Sequence, residues 1–360
     1  MKILYDHQIF SLQEYGGISR YFYEIITRIS RKDANVDLFK GFSVNKYSLN
    51  AKNFNGRYIS YKRIPIIKIG TVYNIFNSLI FLKKHMRIKY DVYHPTYYDY
   101  YTMVNKKNLV VTVHDMIHEL YYPLFKHDDT SIKKKKILNK ANKIIAVSNN
   151  TKKDLINIYS IPENKIEVIY HGNSLNSIVS NNVLHKNPYL LYVGKRNSYK
   201  NFMRLLEAYA MLKYNKDISL VCFGGGEFSK EEKSFISKMK LENKVKLYIG
   251  SDMVLSNLYT YAKAFVYPSL YEGFGIPLLE AMHYQCPIIA SNSSSIPEVL
   301  GDAGVYFNPD SVEDICLKIE KVLEDDELKD TLRIKGNIRE KRFSWDKCAS
   351  QTYELYKNLS

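Results

Sequence analysis

The chain has 360 residues, 46% hydrophobic and 25% charged, with 16 Gly, 10 Pro and a formal net charge of +15. That balance excludes collagen-like, disordered and disulfide-rich classes, and at roughly 150 residues per domain it predicts about two domains. It does not separate an enzyme from a basic binding protein. Cys222, Cys286, Cys316 and Cys348 lie far apart with no CxxC spacing, against structural zinc and against a disulfide framework. MKILYDHQIF at the N-terminus has too short an apolar run for a signal peptide. No stretch approaches the roughly 20 apolar residues of a membrane span. The expectation is a cytoplasmic protein with reduced thiols.

In chain order, the first half predicts strands at KILYD (2–6), VDLF (36–39), DVYH (91–94), NLVVTVH (108–114), KIIAVS (143–148) and KIEVIYHG (165–172). These runs are almost continuously apolar, as in parallel strands covered on both faces. Between the first two, Ile18, Phe22, Ile25, Ile26 and Ile29 share one helical face. Asn149–Thr151 suit the cap of a helix running to about Tyr159. Residues 173–187 are rich in Ser and Asn, without periodicity, and read as a linker. The pattern then restarts at PYLLYVG (188–194), SLVCFGGG (219–226), VKLYIG (245–250), AFVYPS (264–269), PIIAS (287–291) and GVYF (304–307). Two α/β halves of similar size follow, each with the pattern of a doubly wound parallel sheet. Such sheets bind ligands at the carboxyl ends of their strands.

Charge is uneven: residues 1–180 carry a net +14, residues 181–360 only +1. The excess gathers in KKHMRIK (83–89) and in KHDDTSIKKKKILNKANK (126–143). Two readings stay open, a face for phosphate-bearing partners or an anionic membrane, and a merely solvated lysine-rich surface.

The most informative stretch runs from Tyr267 to Gly304, a strand, then a loop with Glu272, Gly273 and Gly275, then a helix with Pro277 in its first turn. Glycines let the backbone approach a ligand, and the helix start offers free N–H groups and a positive dipole end to an anion. Glu280 follows Glu272 by eight residues, which would be about two turns were both helical. An ordinary helix with exposed glutamates would read the same way.

The segment Glu272-Gly-Phe-Gly-Ile-Pro-Leu-Leu-Glu280 resembles the E-x7-E motif of the retaining family 4 glycosyltransferases. YGGISRY (15–21), VTVHD (111–115), IIAVS (144–148), YVGKRNSYKN (192–201), SSSIPEVLGDAG (293–304) and FSW (343–345) follow in the family's order and span nearly the whole chain. The resemblance implies a GT-B fold, two Rossmann-like doubly wound domains facing across a cleft. It implies an acceptor-side domain over 1–172, a nucleotide-sugar domain over 188–344, and a C-terminal helix (345–360) returning to the first.

Carried over residue by residue, the resemblance gives Glu280 the ribose hydroxyls and Glu272 hydroxyls of the donor sugar. The backbone around Phe274, Gly275 and Ile276 would hold sugar and phosphate. Lys200 matches the family's phosphate lysine; for the neighbouring basic position Arg196 is preferred, with Lys195 beside it. His114 matches the active-site histidine near the sugar C6 hydroxyl. Gly16 and Gly17 would approach donor phosphates or acceptor, with Arg20 one turn on. The aromatic run YHPTYYDYY (93–101) offers Tyr97 and Tyr98 either as sugar-stacking faces or as packing. His114 and His118 do not make a metal pair, since no further ligands cluster near them, and the resemblance implies neither metal nor cofactor.

The implied reaction transfers a hexose, GDP-mannose being the first donor to name, to a glycan carried on a lipid diphosphate, with retention at the anomeric carbon. The enzyme would work at the inner face of the cell membrane, peripherally. UDP- and dTDP-sugars are the alternative donors. Rival classes are a basic nucleic-acid-binding protein, which no known module here supports, and a GT-B phosphorylase or epimerase.

Overall fold

The computed structural model describes residues 1–47, 58–60, 69–99, 106–175, 179, 181–196 and 198–360. Tyr100 and Tyr101 of the aromatic run, Asn197 and part of the expected linker lie outside the described residues. Two compact units emerge, one formed by Met1–His171 with Ser344–Ser360, the other by Gly172–Phe343.

In the first unit the strands are β1 (Lys2–Tyr5), β2 (Asn35–Leu38), β3 (Gly41–Ser43), β4 (Tyr58–Ser60), β5 (Tyr90–His94), β6 (Lys106–Val113), β7 (Lys143–Ala146) and β8 (Ile166–Val168). Six of them form a parallel sheet in the order β2-β1-β5-β6-β7-β8, while β3 and β4 pair separately. Ile3, Leu4 and Tyr5 are fully buried, the mark of a strand covered on both faces. The order reverses between β1 and β5, where Tyr5 lies opposite His94. Helix Gly17–Ile29 buries Phe22, Ile25, Ile26 and Ile29 on the expected face, joined by Tyr21.

The C-terminal helix Trp345–Lys357 packs on helix Gly17–Ile29 within this unit. Ser344 caps it by accepting the Lys347 N–H at 3.1 Å. Asp346 meets Arg28 at 2.8 Å. A buried polar chain reaches deeper. The Tyr5 and Tyr356 hydroxyls meet at 2.9 Å, and Tyr356 also meets His94 Nδ1. His94 Nε2 contacts the Thr112 hydroxyl at 2.9 Å, which meets the Tyr21 hydroxyl at 2.9 Å. Each of these groups satisfies another that would be costly to bury alone.

The second unit holds β9 (Tyr189–Val193), β10 (Ser219–Phe223), β11 (Val245–Tyr248), β12 (Ala264–Tyr267), β13 (Ile288–Ser291) and β14 (Gly304–Phe307). All are parallel, in the order β11-β10-β9-β12-β13-β14. Leu190, Leu220 and Ile289 of the sheet pack with Leu205, Ile315 and Ile319 of covering helices. The chain runs outward from β9 to β11 and then returns to place β12 beside β9, so the loops after β9 and β12 leave the sheet side by side at its switch point.

Every apolar run read as a strand is one. Two local readings change. Helix Asn149–Tyr159 is capped by Ser148, whose hydroxyl accepts the Thr151 N–H at 3.0 Å, one residue before the expected cap. The β3–β4 pair was not anticipated, being only three residues per strand. The four cysteines are free and buried.

Candidate active site

At the switch point of the second unit, the β12 loop enters helix Ile276–His283 through Gly275, whose φ of +101° lies in the left-handed region. A Cβ there would stand 3.1 Å from Leu278 Cδ1. Pro277 occupies the first helical turn. The loop is clamped from the side by two serines. Ser295 donates its hydroxyl to the carbonyls of Glu272 and Phe274 at 2.9 and 3.1 Å. Ser294 Oγ accepts the Glu272 N–H at 2.9 Å.

Held this way, the Glu272 carboxylate takes the Lys200 ammonium at 2.6 Å, joining the β12 loop to the β9 loop. It also takes a hydrogen bond from Tyr267, whose hydroxyl is pushed well above the usual phenol range by burial and by this carboxylate. Glu280, the fifth residue of the helix, is largely buried and accepts the Tyr259 hydroxyl at 3.1 Å. Burial and Glu280 likewise raise Tyr259 well above its ordinary value. Lys200, Glu272, Phe274, Gly275, Ile276 and Glu280 therefore share one strand-end region, with a helix N-terminus directed at it.

Arg196 departs from expectation. Its guanidinium is buried and committed to the protein itself. It donates to Glu232 at 3.1 Å and to the carbonyls of Gly224, Gly226 and Glu227 at 2.8, 2.6 and 2.9 Å. It also lies 4.7 Å from the Phe228 ring centroid. Arg196 thus ties down the three-glycine turn after β10 rather than presenting its charge. Lys195 beside it is exposed.

In the first unit, His114 follows β6 and packs in an aromatic cluster. Its ring stacks on His171 at 5.7 Å and 18°, and Tyr21 meets it edge-on at 5.0 Å. Burial, with His171, His94 and Lys134 adding to it, pushes the imidazole well below its ordinary value, so it is neutral near pH 7. A Cβ at Gly16 would come within 2.3 Å of Gln13 Oε1, the movable end of a side chain that accepts the Ser19 N–H in the first turn of the helix. Gly17 opens that helix. Arg20 donates to the Tyr47 hydroxyl at 3.0 Å and lies over its ring.

Tyr98 is core rather than platform, 5% exposed with the Lys134 ammonium over its ring; Tyr97 is half-buried beside it. His118 faces Asp128 at 3.6 Å. Among the described residues no group of three or more His, Cys, Asp or Glu side chains could hold a metal ion. Ser294, Ser295, Tyr259 and Tyr267 were missed in the sequence, although the serines lie in the quoted SSSIPEVLGDAG segment.

Residues 15–176 match the family model described as Glycosyltransferase Family 4, and residues 175–340 match Glycosyl transferases group 1. The chain is a glycosyltransferase. It is similar to O-antigen chain mannosyltransferase B of Escherichia coli, 29% identical over 95% of this chain and 96% of that one. It also resembles the N-acetylgalactosamine-N,N'-diacetylbacillosaminyl-diphospho-undecaprenol 4-alpha-N-acetylgalactosaminyltransferase of Campylobacter jejuni, 31% identical over 58% of each chain. Among solved structures, sucrose-phosphate synthase from Thermosynechococcus elongatus aligns with a TM-score of 0.79, at 19% identity, over 99% of this glycosyltransferase and 98% of that chain. The fold is GT-B.

Proposed function

We propose that this glycosyltransferase moves a mannose from GDP-mannose, with retention, to a lipid-diphosphate-linked glycan in bacterial polysaccharide assembly. The observation that carries the reading is the Lys200–Glu272 pair set against the N-terminus of helix Ile276–His283, with Glu280 about one turn into that helix. In this reading Glu280 binds the ribose hydroxyls and Glu272 the sugar hydroxyls. Lys200, Lys195 and the helix N–H groups take the diphosphate, whose charge grows as it leaves. Arg196, already paired, supports the loop instead. His114 contacts the transferred sugar as a neutral imidazole. The bond between the anomeric carbon and the diphosphate oxygen breaks, and the acceptor oxygen bonds that carbon on the same face. The hydroxyl proton passes to the departing phosphate. No cofactor or metal takes part in this scheme.

Mannose is preferred because the relative matched along nearly its whole length is named a mannosyltransferase. A UDP- or dTDP-sugar donor is the second reading; a relative matched over a shorter span is named for transfer of N-acetylgalactosamine rather than mannose. The lipid-linked acceptor draws support from two surfaces of the first unit. Helix Ile69–His85 exposes Ile75, Phe76, Leu79 and Ile80 on one face, running into exposed Lys83, Lys84 and Arg87. Leu120, Tyr122, Leu124 and Ile132 are exposed near Lys126, Lys135 and Lys136 in sequence. Apolar side chains bordered by cations suit an anionic bilayer surface, each well-placed Lys or Arg adding about 1 kcal/mol. No helix among the described residues is long and apolar enough to cross a membrane.

Thermal stabilisation by GDP, UDP and dTDP, followed by hydrolysis of the matching nucleotide sugars by wild type and Glu280→Ala, tests the donor. Selective stabilisation by GDP that is lost in the variant is expected. Selectivity for UDP or dTDP would retain the enzyme class and overturn mannose from GDP-mannose. Cosedimentation with phosphatidylglycerol vesicles tests the membrane face: binding should weaken in Leu79→Glu and in 0.5 M salt, roughly as a Debye length of a few Å demands.

A further inference from the structure

The chain passes between the two units twice, after His171 and before Ser344. The residues at those two crossings are not idle. His171, the last residue of the first segment, stacks on His114 at 5.7 Å with the rings only 18° from parallel. Trp345, the second residue of the returning segment, packs on His171 at 5.3 Å. Tyr21 closes the cluster, 5.0 Å from His114, 5.0 Å from His171 and 6.1 Å from Trp345. The Tyr21 hydroxyl is itself fixed by Thr112.

His114 Nε2 is buried without a hydrogen-bond partner. A hydrogen bond at that nitrogen therefore does not set the ring's rotation. Flat contact does, since an imidazole stacked on one side and met edge-on from another has little room to turn about χ2. We propose that His171 and Trp345 are positioning residues for His114, a stack that fixes its ring from the two chain crossings. The inference rests on the proposed role of His114 only for its effect on turnover. The placement of the ring stands separately.

Two measurements keep these apart. In protein with 13C-labelled histidine, Trp345→Leu, which leaves His171 between itself and His114, should shift the His114 Cε1–H resonance and broaden it as the ring gains freedom. An unmoved His114 resonance in a folded variant would overturn the proposal. In transfer assays, His171→Ala should lower kcat at least about tenfold with a smaller change in donor KM, as misplacement of a reacting-site group does. His171→Phe, which keeps a flat ring, should recover most of that loss. In a His114→Ala background, His171→Ala should add no further loss in kcat. An equal additional loss there, or failure of His171→Phe to recover activity while stability is normal, would also overturn it. A His114→Ala variant with unchanged kcat would instead sink the proposed role of His114, with the resonance test still deciding the positioning.

Discussion

Lys200 and Glu272 neutralise each other across 2.6 Å, so in the proposed scheme a donor diphosphate draws the ammonium away from the carboxylate as it binds. Glu272 is buried, with 10% of its side chain accessible against 19% for Lys200, but it keeps the Tyr267 hydroxyl as a partner when the ammonium is removed. Lys200→Ala should therefore leave the unfolding midpoint within a degree or two while lowering kcat by roughly 10²–10³-fold, the cost of deleting one charge-stabilising group. Steady-state kinetics beside thermal melts check this; normal turnover would remove Lys200 from the chemistry. Arg196 predicts the opposite pattern. With both side chains of the Arg196–Glu232 pair nearly inaccessible, Arg196→Ala strands a buried carboxylate and should destabilise by about 3–5 kcal/mol in urea unfolding. Arg196→Lys should not restore it, because one ammonium cannot span Glu232 and three carbonyls. Lys195→Ala, by contrast, should melt like wild type and raise the donor KM.

Among the elements, the turn into helix Ile276–His283 depends on a backbone angle that only glycine adopts without strain. Gly275→Ala should cost roughly 1–3 kcal/mol, with a parallel fall in donor affinity because the N–H groups of the first turn move; calorimetric titration of the nucleotide reads the second effect. Most strands were legible as buried, nearly unbroken apolar runs, as in Ile3–Tyr5 or Leu190–Val193, while β8, β11 and β14 are only partly buried. The three-residue pair β3 and β4 carries no such period. At the candidate site, Glu272, Lys200 and Glu280 were singled out through the resemblance of their segments to a known family; spacing alone left an ordinary helix with exposed glutamates equally open. The commitment of Arg196 was not legible, because its partners follow it by 28 to 36 residues and depend on how the glycine turn folds. Ser294 and Ser295 reach back some twenty residues to the Glu272 loop for the same reason. Contacts set by tertiary approach leave no local signature.

At the level of the whole molecule, several histidines are buried in neutral form. Burial holds His94 and His171 down to about 3 and His85 to about 4. An unfolded chain protonates the same rings near pH 6.5. Between about pH 6.5 and those lower values the unfolded state therefore binds more protons, and stability falls as pH falls. Urea midpoints should be level from pH 8 to 7 and drop steadily from 6.5 to 4.5; a flat profile would mean these rings charge without unfolding. Replacing His94 by Asn should shallow the slope.

The helix Trp345–Lys357 belongs to the first unit but is synthesised after the whole of the second. While the ribosome is still delivering it, β9 to β14 are already complete, and Tyr5, His94 and Tyr21 have waited for Tyr356 and Trp345 through 262 to 351 residues. At about 5–20 residues per second that is an interval of tens of seconds. The half of the molecule made first is thus the half that finishes second, and a nascent chain stalled before Ser344 would display an open seam along helix Gly17–Ile29 for chaperones to cover.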